Sequence, residues 1–142
     1  MSYHQLLLAL HILALTLGIG IAFSNAVNLR LAKTNSGDVA KGLGLQRAAM
    51  HKYTDAAFAT ILITGGLLLH AIGGPKGLNL WFNLKMLFVV VYVTSYVMAR
   101  LTVVQIKKTG NVSLLGRVAL FVHVALSGAV AALICAVLAF NG

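Results

Sequence analysis

Four long apolar stretches, running roughly Tyr3–Leu29, Ala56–Ile72, Leu78–Val104 and Val118–Phe140, decide what this chain can fold into. Each is near or above the ~20 apolar residues that carry a helix across a bilayer core. A peptide group in hydrocarbon finds no water, so each stretch must satisfy its own backbone as a helix. Inside or at the edges of these stretches stand His11, His70, Lys85 and His123. An ionisable group at that depth costs several kcal/mol unless it is paired or coordinated, which makes each of them a candidate functional residue.

Composition agrees with a chain that lives in lipid. Of 142 residues, 60% are hydrophobic and 9% charged, whereas a soluble domain is about a quarter charged. The reading is a single membrane domain covering residues 1–142. The first apolar segment is too long for a signal-peptide core and has no basic run before it, so a retained helix is expected. The single cysteine, Cys135, excludes a disulfide framework and a thiolate metal site, and is expected to pack or to face lipid.

The net charge of +9 is placed where a membrane protein places it. Arg30, Lys33, Lys41, Arg47 and Lys52 lie between the first and second stretches; Arg100, Lys107, Lys108 and Arg117 lie near the connection of the third and fourth. Only Lys76 and Lys85 fall near the middle connection, and the termini carry no Lys or Arg. This is the positive-inside pattern. It predicts cytoplasmic basic loops, both termini on the outer (periplasmic) side of a bacterial inner membrane, and anionic lipid headgroups as the counter-charge. No nucleic-acid partner is needed.

Turn signals separate the helices. Thr34–Asp38 is a polar break after the first, and the second reaches back as far as Arg47, with Ala48–Thr54 as its cytoplasmic end. Gly73-Gly74-Pro75 and Thr109-Gly110-Asn111 are turns by glycine and proline backbone preference. Short connections imply antiparallel neighbours, hence an all-α, up-down four-helix bundle. Trp81 and Phe82, and Tyr3 on the first helix, occupy aromatic-belt positions. A homodimer is common for bundles this small.

Depth along the helices sorts the polar residues into two groups. His11 stands eight residues beyond Tyr3, about 12 Å in from the outer face. His70 closes the second helix and Lys85 opens the third, so two histidines and a lysine fall in the outer half. Asn25, Asn28, His51, Asp55, Tyr96, Arg100 and His123 fall toward the cytoplasm. Gly18 lies seven residues after His11 on the same face, and Gly66 lies one turn before His70. Glycines there clear room for a flat macrocycle, or simply let helices approach closely.

Imidazoles buried between helices point to axial ligation of haem iron, with His11 and His70 as the outer metal-binding pair. Zinc fits less well, because no cysteine or carboxylate accompanies these histidines. Lys85 or Lys76 can pair with haem propionates; Lys85 can also be an axial ligand or a substrate anchor. The plain alternative is that each histidine hydrogen-bonds a neighbouring helix. His51 and Asp55, four apart, make either a helix-end pair or an oriented imidazole, and a second haem between His51 and His123 is a further reading.

Leu10-His11-Ile12 followed by small residues, and Trp81-Phe82-Asn83-Leu84-Lys85 with its W-x-x-x-K spacing, resemble HemJ-type membrane protoporphyrinogen IX oxidases. Copper-resistance D-type membrane domains and related small bacterial membrane proteins share the plan. The resemblance covers helices 1 and 3. It implies a b-type haem, His11 as its ligand or a catalytic residue, Lys85 as a catalytic or substrate-binding cation, and electrons passed from a porphyrinogen toward an acceptor such as quinone. The C-terminal signature of that family, with its arginine, Asn-Glu pair and closing Lys-Pro-Phe, is not found in Arg117–Phe140. The expected function is therefore haem-based electron transfer or oxidoreduction with a quinone or a tetrapyrrole. The alternative is a non-enzymatic transport, metal-handling or assembly subunit.

Overall fold

A computed structural model of the protein describes residues 1–74 and 79–141, and these are all-α. The helices are α1 (Tyr3–Thr34), α2 (Gly37–Ala71), α3 (Leu80–Thr109) and α4 (Leu115–Asn141), with one 3₁₀ turn, Val112–Leu114, ahead of α4. They contain 32, 35, 30 and 27 residues. At 1.5 Å per residue they run to about 40–52 Å, past the ~30 Å of hydrocarbon. All four are long and apolar enough to span, and the protein is an integral membrane protein of the four-helix, all-α class. Outward-facing Leu13, Leu17, Ile63, Leu87, Val90 and Leu120 are each more than half exposed and present the apolar surface that lipid requires.

The chain divides into two compact units, Met1–Gly77 and Leu78–Gly142, each a helical hairpin. In the first, only Asn35 and Ser36 separate α1 from α2. The second helix therefore starts ten residues before Arg47, the earliest start its hydropathy indicates. The reason is polar. Asn28 of α1 is 4% exposed. Its Nδ2 donates to the Leu43 carbonyl at 3.1 Å and to Gln46 Oε1 at 2.9 Å, and its Oδ1 accepts from Arg47 Nη1 at 2.5 Å. These α2 residues lie within a polar stretch that hydropathy alone reads as connection. Leu7, Ala14, Ala26 and Leu29 of α1 and Ala57 and Ile61 of α2 form the apolar part of the same core.

The second hairpin closes more tightly. A Cβ at Gly128 of α4 would lie 3.3 Å from the Phe88 carbonyl oxygen and 3.4 Å from the Tyr92 amide nitrogen of α3, so backbone meets backbone there. Val118, Ala119, Ala125, Ala129, Ala132 and Cys135 are buried along α4, as small residues at a membrane helix interface usually are. Of the two roles open to Cys135, packing is the one it has. Asn79 joins the far end: its Oδ1 accepts from the Phe82 amide, and its Nδ2 donates to the Ala139 carbonyl at 3.0 Å. This cap turns Phe82 inward to 6% exposure, so Phe82 is a core residue and not a belt residue; Trp81, at 41%, is the outward aromatic.

The expected turns are present. Gly73 and Gly74 have φ of +82° and +89°, and Gly110 ends α3 at φ +68° with its N–H on the Ile106 carbonyl, conformations that glycine alone enters without strain. Pro75 and Lys76, and the expected start of the third helix at Leu78, lie outside the described residues.

Substituting Asn28 by alanine removes its bonds to the Leu43 carbonyl, Gln46 and Arg47 and should destabilise the protein by about 1–3 kcal/mol. Helix loss followed by circular dichroism during SDS titration of the detergent-solubilised protein checks this. Asn25→Ala, one turn away and half-buried, should cost clearly less.

Candidate functional site

A polar contact between α1 and α2 is built on His11. Its ring is half-buried against α2, and Nδ1 lies 2.8 Å from Thr64 Oγ1. Thr64 is 5% exposed and its hydroxyl donates to the Thr60 carbonyl one turn back, at 2.6 Å. Threonines in apolar helices commonly bond back in this way. Next to Thr64, a Cβ at Gly65 would come within 3.1 Å of His11 Cε1, so the imidazole lies on the backbone of α2. His11, Thr64 and Gly65 thus form one unit, anchored at Nδ1 and seated on a glycine.

Thr64 and Gly65 are the residues that sequence reasoning missed. The available signal was the Thr60, Thr64 pair at helical spacing within an otherwise apolar run. The glycines it singled out do other things. At Gly18 the space is taken by α2: a Cβ would meet Ile61 Cδ1 at 3.2 Å and Ala57 Cβ at 3.8 Å. Gly18 therefore serves helix contact and clears no room for a macrocycle. Gly66 has nothing within 4 Å of a Cβ and lines a shallow recess with Leu69, His70, Gly73 and Gly74.

His70 is exposed in the last turn of α2. It follows Thr64 by six residues, which places it about 120° around the helix and about 9 Å along it from the His11 seat. The two imidazoles thus occupy different faces of α2. His51 and Asp55, farther back on α2, are both half-buried.

The second hairpin holds the remaining candidates. Lys85 is half-buried on α3, with Nζ 5.6 Å from the centroid of the Phe82 ring, within cation–π range. His123 is exposed on α4 and its Nδ1 lies 2.6 Å from the Ala119 carbonyl, one turn back. The Tyr92 and Tyr96 rings on α3 are tilted at 41° with centroids 6.3 Å apart. Lys76 lies outside the described residues. Among the described residues no three His, Cys, Asp or Glu side chains gather closely enough to hold a metal ion by themselves.

Compared with known proteins, the chain matches no family model, no curated protein and no solved structure.

The seat of His11 has a direct consequence for substitution. Gly65→Ala must push the ring away from α2 and strain the bond to Thr64, whereas Gly66→Ala enters open space. Thermal unfolding in detergent should show Gly65→Ala to be the less stable of the two by about 1 kcal/mol or more, since overpacking costs about 1–3 kcal/mol and alanine is otherwise the better helix former.

Proposed function

We propose that the chain is a membrane-embedded b-type haem protein, working in electron transfer or oxidoreduction with a quinone or a tetrapyrrole, and that His11 supplies an axial ligand to its iron. The observation that carries this reading is the His11–Thr64 bond. An imidazole within an apolar seam is held through Nδ1 by a buried hydroxyl, and such an anchor on the second nitrogen is characteristic of metal-ligating histidines. Haem needs one or two axial nitrogens rather than a cluster of three side chains, so the donor set fits it. When bound, haem would supply one-electron chemistry, and Thr64 would orient the imidazole. His70 lies on another face of α2 and is not assigned to the same iron.

The resemblance of Leu10-His11-Ile12 and of Trp81 through Lys85 to the porphyrinogen oxidases supports the same reading, with Lys85 as the catalytic or substrate-binding cation. A second reading has an observation in its favour too. The His11–Thr64 bond, with Gly65 in contact, is also a way of locking two helices together in a non-enzymatic transport, metal-handling or assembly subunit.

A dithionite-reduced minus air-oxidised visible spectrum of the purified protein separates the two. The haem reading expects sharp α and Soret bands, one haem per chain by pyridine haemochrome, and loss of the pigment in His11→Ala. Colourless protein after expression with excess haem, or a pigmented His11→Ala variant, would remove His11 as ligand.

The proposed orientation places the basic connections in the cytoplasm and both termini outside the bacterial inner membrane. A C-terminal alkaline phosphatase fusion should then be active and a C-terminal green fluorescent protein fusion dark. The opposite pair of results would invert the topology.

A further inference from the structure

We infer that Arg47 and Gly44 of α2 form a site for the phosphate of one anionic phospholipid, in the leaflet next to the α1–α2 connection. The site stands apart from His11 and does not depend on the haem reading. Arg47 is permanently charged and half-buried. The chain has two side-chain carboxylates, Asp38 and Asp55, both on α2. They stand nine residues before Arg47 and eight after it, about 13 Å and about 12 Å away along the helix. Arg47 cannot swing toward either while its Nη1 is held 2.5 Å from Asn28 Oδ1. That partner is a neutral amide, so the guanidinium has no counter-charge among the described residues of the hairpin.

The bonds around Asn28 leave donors over. A guanidinium donates and never accepts, so Asn28 turns its oxygen to Arg47 and its nitrogen to the Leu43 carbonyl and Gln46 Oε1. Gln46 thereby has its oxygen engaged and keeps its amide nitrogen as a donor, next to an Arg47 that has used a single N–H. Gly44, one turn before Arg47, leaves room for an acceptor. A Cβ there would meet Arg47 Nη2 at 3.9 Å, an ordinary contact, and would otherwise enter open space. A phosphate, with a negative charge and several acceptor oxygens, is the group that a fixed guanidinium takes up best.

Depth selects the source of that phosphate. Arg47 lies 24 residues before Ala71, where α2 ends, and Asn28 lies 25 residues after Tyr3, where α1 begins. Both spans come to about 36–38 Å, past the ~30 Å of hydrocarbon and within the ~40–45 Å that includes the headgroups. With the other ends of both helices at the edge of the hydrocarbon, Arg47 stands in the headgroup layer beside the α1–α2 connection.

Native mass spectrometry of the full-length, detergent-purified protein tests this, with phosphatidylglycerol, phosphatidylethanolamine of the same acyl chains and inorganic phosphate as probes. The wild type should retain one phosphatidylglycerol per chain, about 5-fold tighter than phosphatidylethanolamine, and inorganic phosphate should not displace it. Arg47→Gln should weaken this binding about 10-fold or more, as the loss of a charge-assisted hydrogen bond does. Gly44→Leu keeps both Arg47 and Asn28 but fills the site, so it should cause the same loss while helix content and melting stay as in the wild type. Lys33→Gln removes an exposed charge of the same hairpin and should leave binding near wild type. A Gly44→Leu variant that binds like the wild type overturns the inference, as does an equal loss in Lys33→Gln, which would mean diffuse attraction only. Displacement by inorganic phosphate would give the site to a free anion, and equal retention of phosphatidylethanolamine would remove charge as the selecting feature; either result overturns the anionic-lipid assignment.

Discussion

A polar group in hydrocarbon has no water to turn to, and the structure follows from how each such group finds a partner inside the protein. The backbone does so by coiling into helices. The threonines do so by bonding to their own helix: Thr16 to the Ile12 carbonyl, Thr54 to Met50, Thr60 to Ala56, Thr64 to Thr60, Thr102 to Met98 and Thr109 to Gln105. Thr64 differs because its oxygen has a second duty. Its Oγ1 also lies 2.8 Å from Nδ1 of His11 on α1. One self-satisfied threonine thereby becomes a contact between two helices.

The same constraint explains where helices approach closely. Lipid is as apolar as leucine, so hydrophobicity alone does not press membrane helices together, and small residues that admit many short contacts do the work instead. In the second hairpin Gly128 brings α4 onto the backbone of α3; in the first, Gly18 admits Ile61 and Gly65 admits an imidazole. A methyl group at Gly65 disturbs a polar contact, while one at Gly18 disturbs only apolar packing. Asn28 bridges α1 to α2 within the first hairpin, and Asn79 bonds a carbonyl in the last turn of α4 in the second.

Several features could be read in advance because they are properties of one segment. The four spans, the glycine turns at Gly73-Gly74 and Gly110, and the outward Trp81 are of this kind. The start of α2 was not, since residues 37–46 carry no apolar run and become helical while packing beside α1 through Asn28. Phe82 was misplaced because nothing local reveals that Asn79 caps α3 and bonds α4. His11 was singled out for its depth, yet Thr64 and Gly65, which define its surroundings, are common residues in an apolar helix and become distinctive only when α1 lies against them.

By itself the sequence determined that this is an all-α membrane protein with four spans, because apolar length and the satisfaction of backbone hydrogen bonds are one-dimensional quantities. It also determined that imidazoles sit at membrane depth. Only the tertiary structure decided that His11 meets Thr64 and Gly65 of the facing helix. Helical phase relates residues on one helix, whereas the partner of a polar group across a helix pair depends on the rotation and register of both, which packing alone sets.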